Sequence, residues 1–401
     1  MIDIVSTAKQ MGIYTIVVDR DANSPAKQFA DQAFDISTHC IDDLETICRN
    51  NSIDGVFTGF EDFNIHIACQ LCSRLGISFY ATAEQLQIAT NKQLFKAFCK
   101  KHSIPVTPQF TLEEALFDAQ YPYIIKPADS YGSRGITVCW CADDLKQGYA
   151  NALASSPCKA AIIESYINSN IGVELFYTIV NGNIHLSATA DRYTTTTRGV
   201  SVPLPIAEVF PSKHTKQAKH CLDAPIRTML RDLNIRNGLV LIQSIYDGTS
   251  FYVYEMALRL TGEQHYILLA KQQGINLAKF MLDLSLGHDV SQYDTPHLDD
   301  TFFIRPSANY VFLLQPGTIS QIKGIDQICN MPEVVSAMIV HQPGDTIRDV
   351  YDYSRIFARL NVVADSFDAL QTAIDMINKK LTVFSDTGNE MLLSHCLPLS
   401  S

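Results

Sequence analysis

A single lysine closes the apolar run Tyr123-Ile124-Ile125-Lys126, and a small polar loop, Pro127 to Gly135, follows it. A desolvated ammonium at the end of a buried strand is costly unless an anion meets it. A glycine-containing loop rich in backbone N–H groups can cover a phosphate. The other reading is a surface hairpin whose lysine reaches solvent. Further along, charged residues recur at the ends of apolar strands. Lys92 opens a helix at 91–102, Glu164 ends a strand at 160–164, and Glu174 begins a long strand at 173–180. Glu255 ends a strand at 251–256, Gln243 lies on its hairpin partner, and Arg259 follows four residues after Glu255. Singly, such groups are mostly solvated or paired surface charges. Together they suit one nucleotide cleft. Two lysines could hold phosphates, a carboxylate could hold Mg2+, which takes oxygen ligands and bridges phosphates, and an arginine fork could steady a transferred phosphoryl group. No G-x-x-x-x-G-K-S/T loop is present, which excludes a P-loop, and Gly132-x-x-Gly135 between two strands is not a dinucleotide fingerprint.

Periodicity supplies the elements that must position these groups. Short β-branched runs at 13–18, 53–58 and 77–80 alternate with amphipathic helices at 41–51 and 65–75, which predicts a parallel α/β sheet. Ligands in such sheets lie off the carboxyl ends of strands, here near Asp19, Arg20 and Glu61. Residues 2–11 read as a helix with no strand before it, so the domain is expected to lack its first strand. Pro105 and Pro108 mark a connector. Strands are then expected at 121–126, 135–140, 160–164 and 173–180, with a helix at 142–154. Asn181-Gly182 signals a type I′ hairpin into a strand at 183–190, and Asp247-Gly248 joins strands at 239–246 and 251–256. A helix is expected at 215–233. Strands at 309–315 and 359–364, hairpin-like segments near 319–322 and 334–341, and a helix at 366–381 follow, with a frayed tail from Asp386.

Composition bounds the partners. A net charge of −11 offers no field for a phosphate backbone, so nucleic acid is not expected. No apolar run is long enough to span a bilayer, and Met1–Lys9 lacks the pattern of a signal peptide. The cysteines number 11, without framework spacing, which suits a reducing cytoplasm. Cys69 and Cys72 form a CxxC on a helical stretch with no second pair to complete a zinc site.

The order of Lys92, Lys126 with its glycine loop, Glu164-x-x-Ile167, Glu174, the hairpin at 239–256 and Arg259-Leu260-Thr261-Gly262 resembles the ATP-grasp superfamily. Within it the chain is similar to the carboxylate–amine ligases related to biotin carboxylase and the carbamoyl phosphate synthase large subunit. Val17-Val18-Asp19-Arg20 resembles the second strand of that group's N-terminal domain, and Leu314-Gln315-Pro316-Gly317 its small C-terminal domain. The resemblance implies an N-terminal α/β domain at 1–90, an ATP-grasp domain at 91–300 with a lid subdomain at about 121–165, a small α+β domain at 301–385, and a tail at 386–401.

By position, the resemblance implies that Lys92 and Lys126 contact ATP phosphates and that Ser130, Ser133, Arg134 and Gly135 belong to the lid. It implies that Glu164, Ser165 and Ile167 hold the adenine edge, Glu174 the ribose hydroxyls, and Glu255 with Gln243 the Mg2+, or Mn2+ in its place. Arg259, with Lys126, would steady an acyl phosphate. Glu61 could meet a substrate amine and Arg192 a carboxylate, with Thr194–Thr197 and Arg198 as a segment that orders on binding. Two positions depart from the group: Gln243 replaces a metal carboxylate, and Ala257 replaces an asparagine. The implied reaction activates a carboxylate as an acyl phosphate and couples it to an amine. The alternatives are carboxylation through carboxyphosphate, or a nucleotide-binding regulator with impaired catalysis. Small-molecule substrates are expected, and a homodimer is left open.

Overall fold

The computed structural model describes residues 1–129, 135–169, 171–195, 204–299, 301, 305–350 and 352–393. Ser130, Ser133, Arg134, Thr196, Thr197 and Arg198, named above, lie outside these.

The largest element is an eight-stranded, wholly antiparallel sheet. Its spatial order is Phe251–Leu258, Gly238–Tyr246, Ile171–Val180, Asn183–Thr194, Pro205–Phe210, Ser307–Leu313, Ile356–Val363 and Val334–Ile339. Along Ile171–Val180 the side chains alternate between two cores. Val173, Leu175, Tyr177 and Ile179 pack against the helices Ala83–Thr90, Lys92–Lys101 and Ala224–Asp232. Phe176 and Val180 face the opposite side, with helices His265–Gln273 and Leu277–Ser285. Glu174 falls on this second side. Asn181 and Gly182 both have positive φ, 51° and 87°, as a type I′ turn requires.

A second, four-stranded sheet runs in the order Gln109–Phe110, Ala161–Ser165, Tyr123–Pro127, Thr137–Cys139, packed on the helix Ala142–Ser155. The connector leading into it is fastened to the large sheet where Val253 N–H donates to Pro105 C=O at 2.8 Å.

The N-terminal part opens with the helix Ile2–Gln10, and its only described strand pair is Ile16–Val18 with Gln32–Phe34, parallel as expected. The runs at 53–58 and 77–80 are not strands. Each is β-rich in composition, but a strand needs a hydrogen-bonded neighbour, and these runs pack elsewhere. A Cβ on Gly55 would lie 2.4 Å from the Ser285 carbonyl oxygen, so that run presses edge-on against a helix end. The helix expected at 215–233 is continuous but contains a π-turn at Lys219–Asp223. The strand Pro205–Phe210 and the helices His265–Gln273 and Leu277–Ser285 were not anticipated. As far as Leu393, the last described residue, the tail is held rather than frayed: Met391 is buried and Leu392 bridges to Leu314. Ten cysteines among the described residues are unpaired thiols. Among the described residues no helix is long and apolar enough to cross a membrane.

Candidate active site

Lys92 is placed by its cap. Asn91 Oδ1 accepts from Gln93 and Leu94 N–H at 3.0 and 3.1 Å, which starts the helix Lys92–Lys101 at that residue. Lys92 N–H then donates to Ala128 C=O at 2.9 Å, two residues beyond Lys126. The two expected phosphate lysines are therefore joined through the backbone. One turn after Lys92 comes Lys96, which the sequence reading missed. It is 1% exposed, and its ammonium binds Glu164 Oε1. Lys126 Nζ meets the other oxygen, Glu164 Oε2, at 3.1 Å. Burial, and then the other ammonium groups, push both lysine pKa values below their ordinary range, Lys126 to about 8. Glu164 thus acts through its side chain as a shared counterion. Ser165 N–H is occupied by Pro108 C=O at 3.1 Å, and Ile167 C=O receives Ser169 N–H at 2.9 Å.

Gly135 lies past the loop with φ of +74°. A Cβ there would come 2.6 Å from Ser155 Cβ and 2.8 Å from Pro127 Cγ, so only glycine fits between strand and helix.

Lys126 also reaches the large sheet. Its Nζ sits 5.5 Å from the Tyr254 ring centroid, and the Glu255 carboxylate acts on it electrostatically. A bulge explains Tyr254. The register runs from Gln243↔Glu255 to Ser244↔Val253, leaving Tyr254 as the extra residue. Such bulges re-aim side chains.

On the sheet face that carries Glu174, the apolar alternation gives way to a polar row. Glu255 lies opposite Gln243, and Gln243 opposite Glu174. Arg192 lies opposite Glu208, then Asn309, then Asn361. Gln243 Nε2 donates to Glu174 Oε1 at 2.7 Å, and Arg192 Nε lies 3.7 Å from Glu174 and 3.9 Å from Glu208. Burial, then the Glu208 carboxylate, raises the Glu174 carboxyl well above the usual range. Glu174 contacts Gln243 and Arg192; no residue of the 164–167 stretch is a partner. Glu174, Glu208 and His265 are also close enough to hold a metal ion, but His265 is already bound to Glu208 at 2.5 Å and to Thr261 Oγ1 at 3.0 Å.

Arg259 leaves the Phe251–Leu258 strand and is held by Asp62 Oδ1 at 2.6 Å. Asp62 begins the helix Asp62–Leu75, and Phe60 N–H docks on Leu260 C=O at 3.0 Å. The N-terminal part thereby orients Arg259. Glu61 beside it is exposed and accepts from Asn64 Nδ2 at 2.8 Å. The sequence reading gave Glu208, Tyr254, Asn309 and Arg359 no role. Two carried a signal: Glu208 and Arg359 are the lone charges in the runs Pro205–Phe210 and Ile356–Val363.

Contacts and electrostatic effects thus link Lys92 and Lys96 on their helix, Lys126 and Glu164 on the small sheet, Glu255, Gln243 and Tyr254 on the large sheet, and Arg259 beyond it. A family model described as carbamoyl-phosphate synthase L chain, ATP binding domain, matches residues 91–293, just over half of the chain. The chain belongs to that family. A second model, L-amino acid ligase C-terminal domain 2, matches residues 310–384. The chain has the ATP-grasp fold. It is similar to the formate-dependent phosphoribosylglycinamide formyltransferase of Prochlorococcus marinus (strain MIT 9313), 25% identical over 182 residues, 43% of this chain and 47% of that one. It is 21% identical over 350 residues to the carbamoyl phosphate synthase large chain of Saccharolobus islandicus (strain M.14.25 / Kamchatka #1), covering 80% of this chain and 32% of that one. The chain spans about half the length, or less, of the curated relatives it matches. In three dimensions it resembles the L-amino acid ligase from Bacillus licheniformis, with a TM-score of 0.78, 16% identity, and 96% and 95% of the two chains covered. It also resembles the biotin carboxylase domain of the Hydrogenobacter thermophilus 2-oxoglutarate carboxylase, with a TM-score of 0.77, 17% identity, and 97% and 88% covered.

Proposed function

We propose that this chain is an ATP-dependent ligase that activates a carboxylate as an acyl phosphate and couples it to an amine, releasing ADP and phosphate. The observation that carries this reading is the convergence of Lys126 on both Glu164 and the Tyr254–Glu255 bulge. Family membership supports it, as does the name of the L-amino acid ligase that shares the fold. An amino acid is therefore a natural carboxylate to test.

Lys92 and Lys126 would hold the phosphates of ATP, and the loop that ends at Gly135 would cover them. The Mg2+ ligands would be Glu255 and Gln243. The donor set fits: Gln243 turns its amide N–H to Glu174, which leaves its oxygen as the donor beside Glu255. The ion would neutralise phosphate charge. Arg259, fixed by Asp62, would grip the acyl phosphate and the oxyanion formed when the amine adds. Catalysis is then positioning and charge stabilisation, with no covalent enzyme intermediate. Residues 1–90, 91–300 and 301–385 would act as three domains around this cleft, with small molecules as substrates in a reducing cytoplasm and a homodimer as the assembly to test.

The test is phosphate release with MgATP and a panel of carboxylic and amino acids, with hydroxylamine as a trap. Carboxylate-dependent release and hydroxamate formation are expected. A protein that binds ATP yet gives neither overturns the ligase and favours the regulator, the reading to which a metal site with one carboxylate lends weight. Lys126→Ala should abolish the thermal protection given by MgATP, and undiminished protection would remove Lys126 from the phosphate site.

A further inference from the structure

Lys96 is a buried base to which the proposed reaction gives no task. It is 1% exposed, one turn into the helix Lys92–Lys101, and its amino group binds Glu164 Oε1. Glu164 is buried in the small sheet, paired with Gln109 on one side and Ile124 on the other. Lys96 and Lys126 divide its two oxygens, and among the described residues the carboxylate has no third hydrogen-bond partner. Lys126 Nζ lies 3.1 Å from Oε2 and 5.5 Å from the centroid of the Tyr254 ring. One ammonium cannot fully satisfy two anions. A phosphate that draws Lys126 to itself takes a counterion from Glu164, and a buried carboxylate without a cation is costly. Lys96 already touches the other oxygen and is the group placed to answer.

Its surroundings keep it short of charge. Burial, then the Lys126 ammonium, hold the Lys96 amine at about 6; Lys100 and Lys92 on its own helix act in the same direction and Cys99 in the opposite one. Glu164 and Lys126 face it from the small sheet. The Phe251–Leu258 strand, packed on the same helix, brings Tyr254 and Glu255 to bear on Lys126. The helix Ala83–Thr90 carries one charge, the exposed Glu84, and the helix Ala224–Asp232 turns Met229 to Cys99 and gives Asp232 to Lys101 and His102. At neutral pH Lys96 is thus an amine that donates an N–H to Glu164. Moving the Lys126 charge onto a phosphate removes the strongest electrostatic reason for that, and the unshared Glu164 then favours a proton on Lys96.

We propose that Lys96 is a positioning residue for nucleotide binding: as Lys126 turns from Glu164 to phosphate, Lys96 takes one proton from solvent and becomes the sole counterion of Glu164, keeping that carboxylate charged and in place. The inference rests on the phosphate role proposed for Lys126, but its readout is proton uptake rather than turnover. Lys126 is thereby released to the nucleotide without leaving a bare charge in the small sheet.

The experiment is calorimetry of MgADP binding to the full chain at about pH 7, in buffers that differ in ionisation enthalpy, which counts the protons taken up. That pH lies above the Lys96 value and below that of Lys126, about 8. The wild type should take up about one proton per nucleotide, and its affinity should fall as pH rises, by up to about tenfold per unit. By NMR of lysine-labelled protein, the Lys96 nitrogen should move from the amine to the ammonium position when MgADP is added. Lys96→Arg, which never loses its charge, should bind MgADP without uptake. No uptake by the wild type, a Lys96 nitrogen unchanged by MgADP, or full uptake in Lys96→Arg overturns the proposal. Should Lys96→Arg fail to fold, the two wild-type measurements decide. Loss of MgADP protection in Lys126→Ala with no proton uptake in the wild type would keep Lys126 on the phosphates and discard Lys96; undiminished protection in Lys126→Ala would discard both.

Discussion

Glu164 is the place where a single atom change should cost most. Its carboxylate is the counterion of two ammonium groups, Lys96 in contact and Lys126 at 3.1 Å, with side chains 1% and 11% exposed. In Glu164→Gln the shape persists, but both cations lose their partner. At 3.1 Å and an effective dielectric constant of about 20, one such attraction is roughly 5 kcal/mol. Breaking a buried pair by removing one partner typically costs about 3–5 kcal/mol after relaxation, and that is the loss expected below about pH 6, where Lys96 in the folded chain still carries its proton. Urea denaturation measures it. The loss should depend on pH with a definite sign. Burial lowers the Lys96 pKa in the folded chain. Between that lowered value and the ordinary amine value, the unfolded chain binds more protons than the folded one. Stability therefore rises with pH across that window and is flat below it. Glu164→Gln should steepen the rise, and adding Lys96→Met should recover most of the loss. A Glu164→Gln protein within about 1 kcal/mol of the wild type, a loss typical of ordinary substitutions, or a double variant no better than the single one, would refute the shared-counterion account.

Gln243→Glu should lower the Mg2+ concentration for half-maximal phosphate release by about tenfold, because ligand charge sets affinity. Without the ion, the introduced carboxylate would repel Glu174 and Glu255 across the sheet, so the metal-free variant should melt lower than the metal-free wild type. His265 gives a second pH signature. Burial opposes its charging, but Glu208 at 2.5 Å prevails and raises its pKa. Its contribution is complete below the ordinary imidazole value and fades as pH rises through the raised one; Glu208→Gln should erase that dependence in denaturation curves. Gly135→Ala should cost about 1–3 kcal/mol, since the new Cβ meets Ser155 and Pro127 in a left-handed backbone, and unchanged stability would remove the steric argument.

Local chemistry made much of this chain legible. Strand-ending charges, the Asn181-Gly182 turn and the Asn91 cap all act within a few residues, so their spacing is written in the sequence. The order of Lys92, Lys126, Glu164, Glu255 and Arg259 was enough to suggest the ATP-grasp fold. Sequence alone also identified the neutral Gln243 as a departure. What it could not decide was pairing. Whether 53–58 becomes a strand depends on a neighbour more than 200 residues away, where Gly55 meets Ser285. That the Glu164 carboxylate would serve as the counterion of Lys96 and Lys126 was not legible, because it depends on the approach of a helix and a strand distant in sequence. Arg259 gained Asp62, 197 positions distant, and Arg359 came to rest buried beside Asn309. The reason is physical. A charge declares its cost wherever it occurs, but the partner that meets it, or the lack of one, exists only once the sheet has brought distant segments to one face.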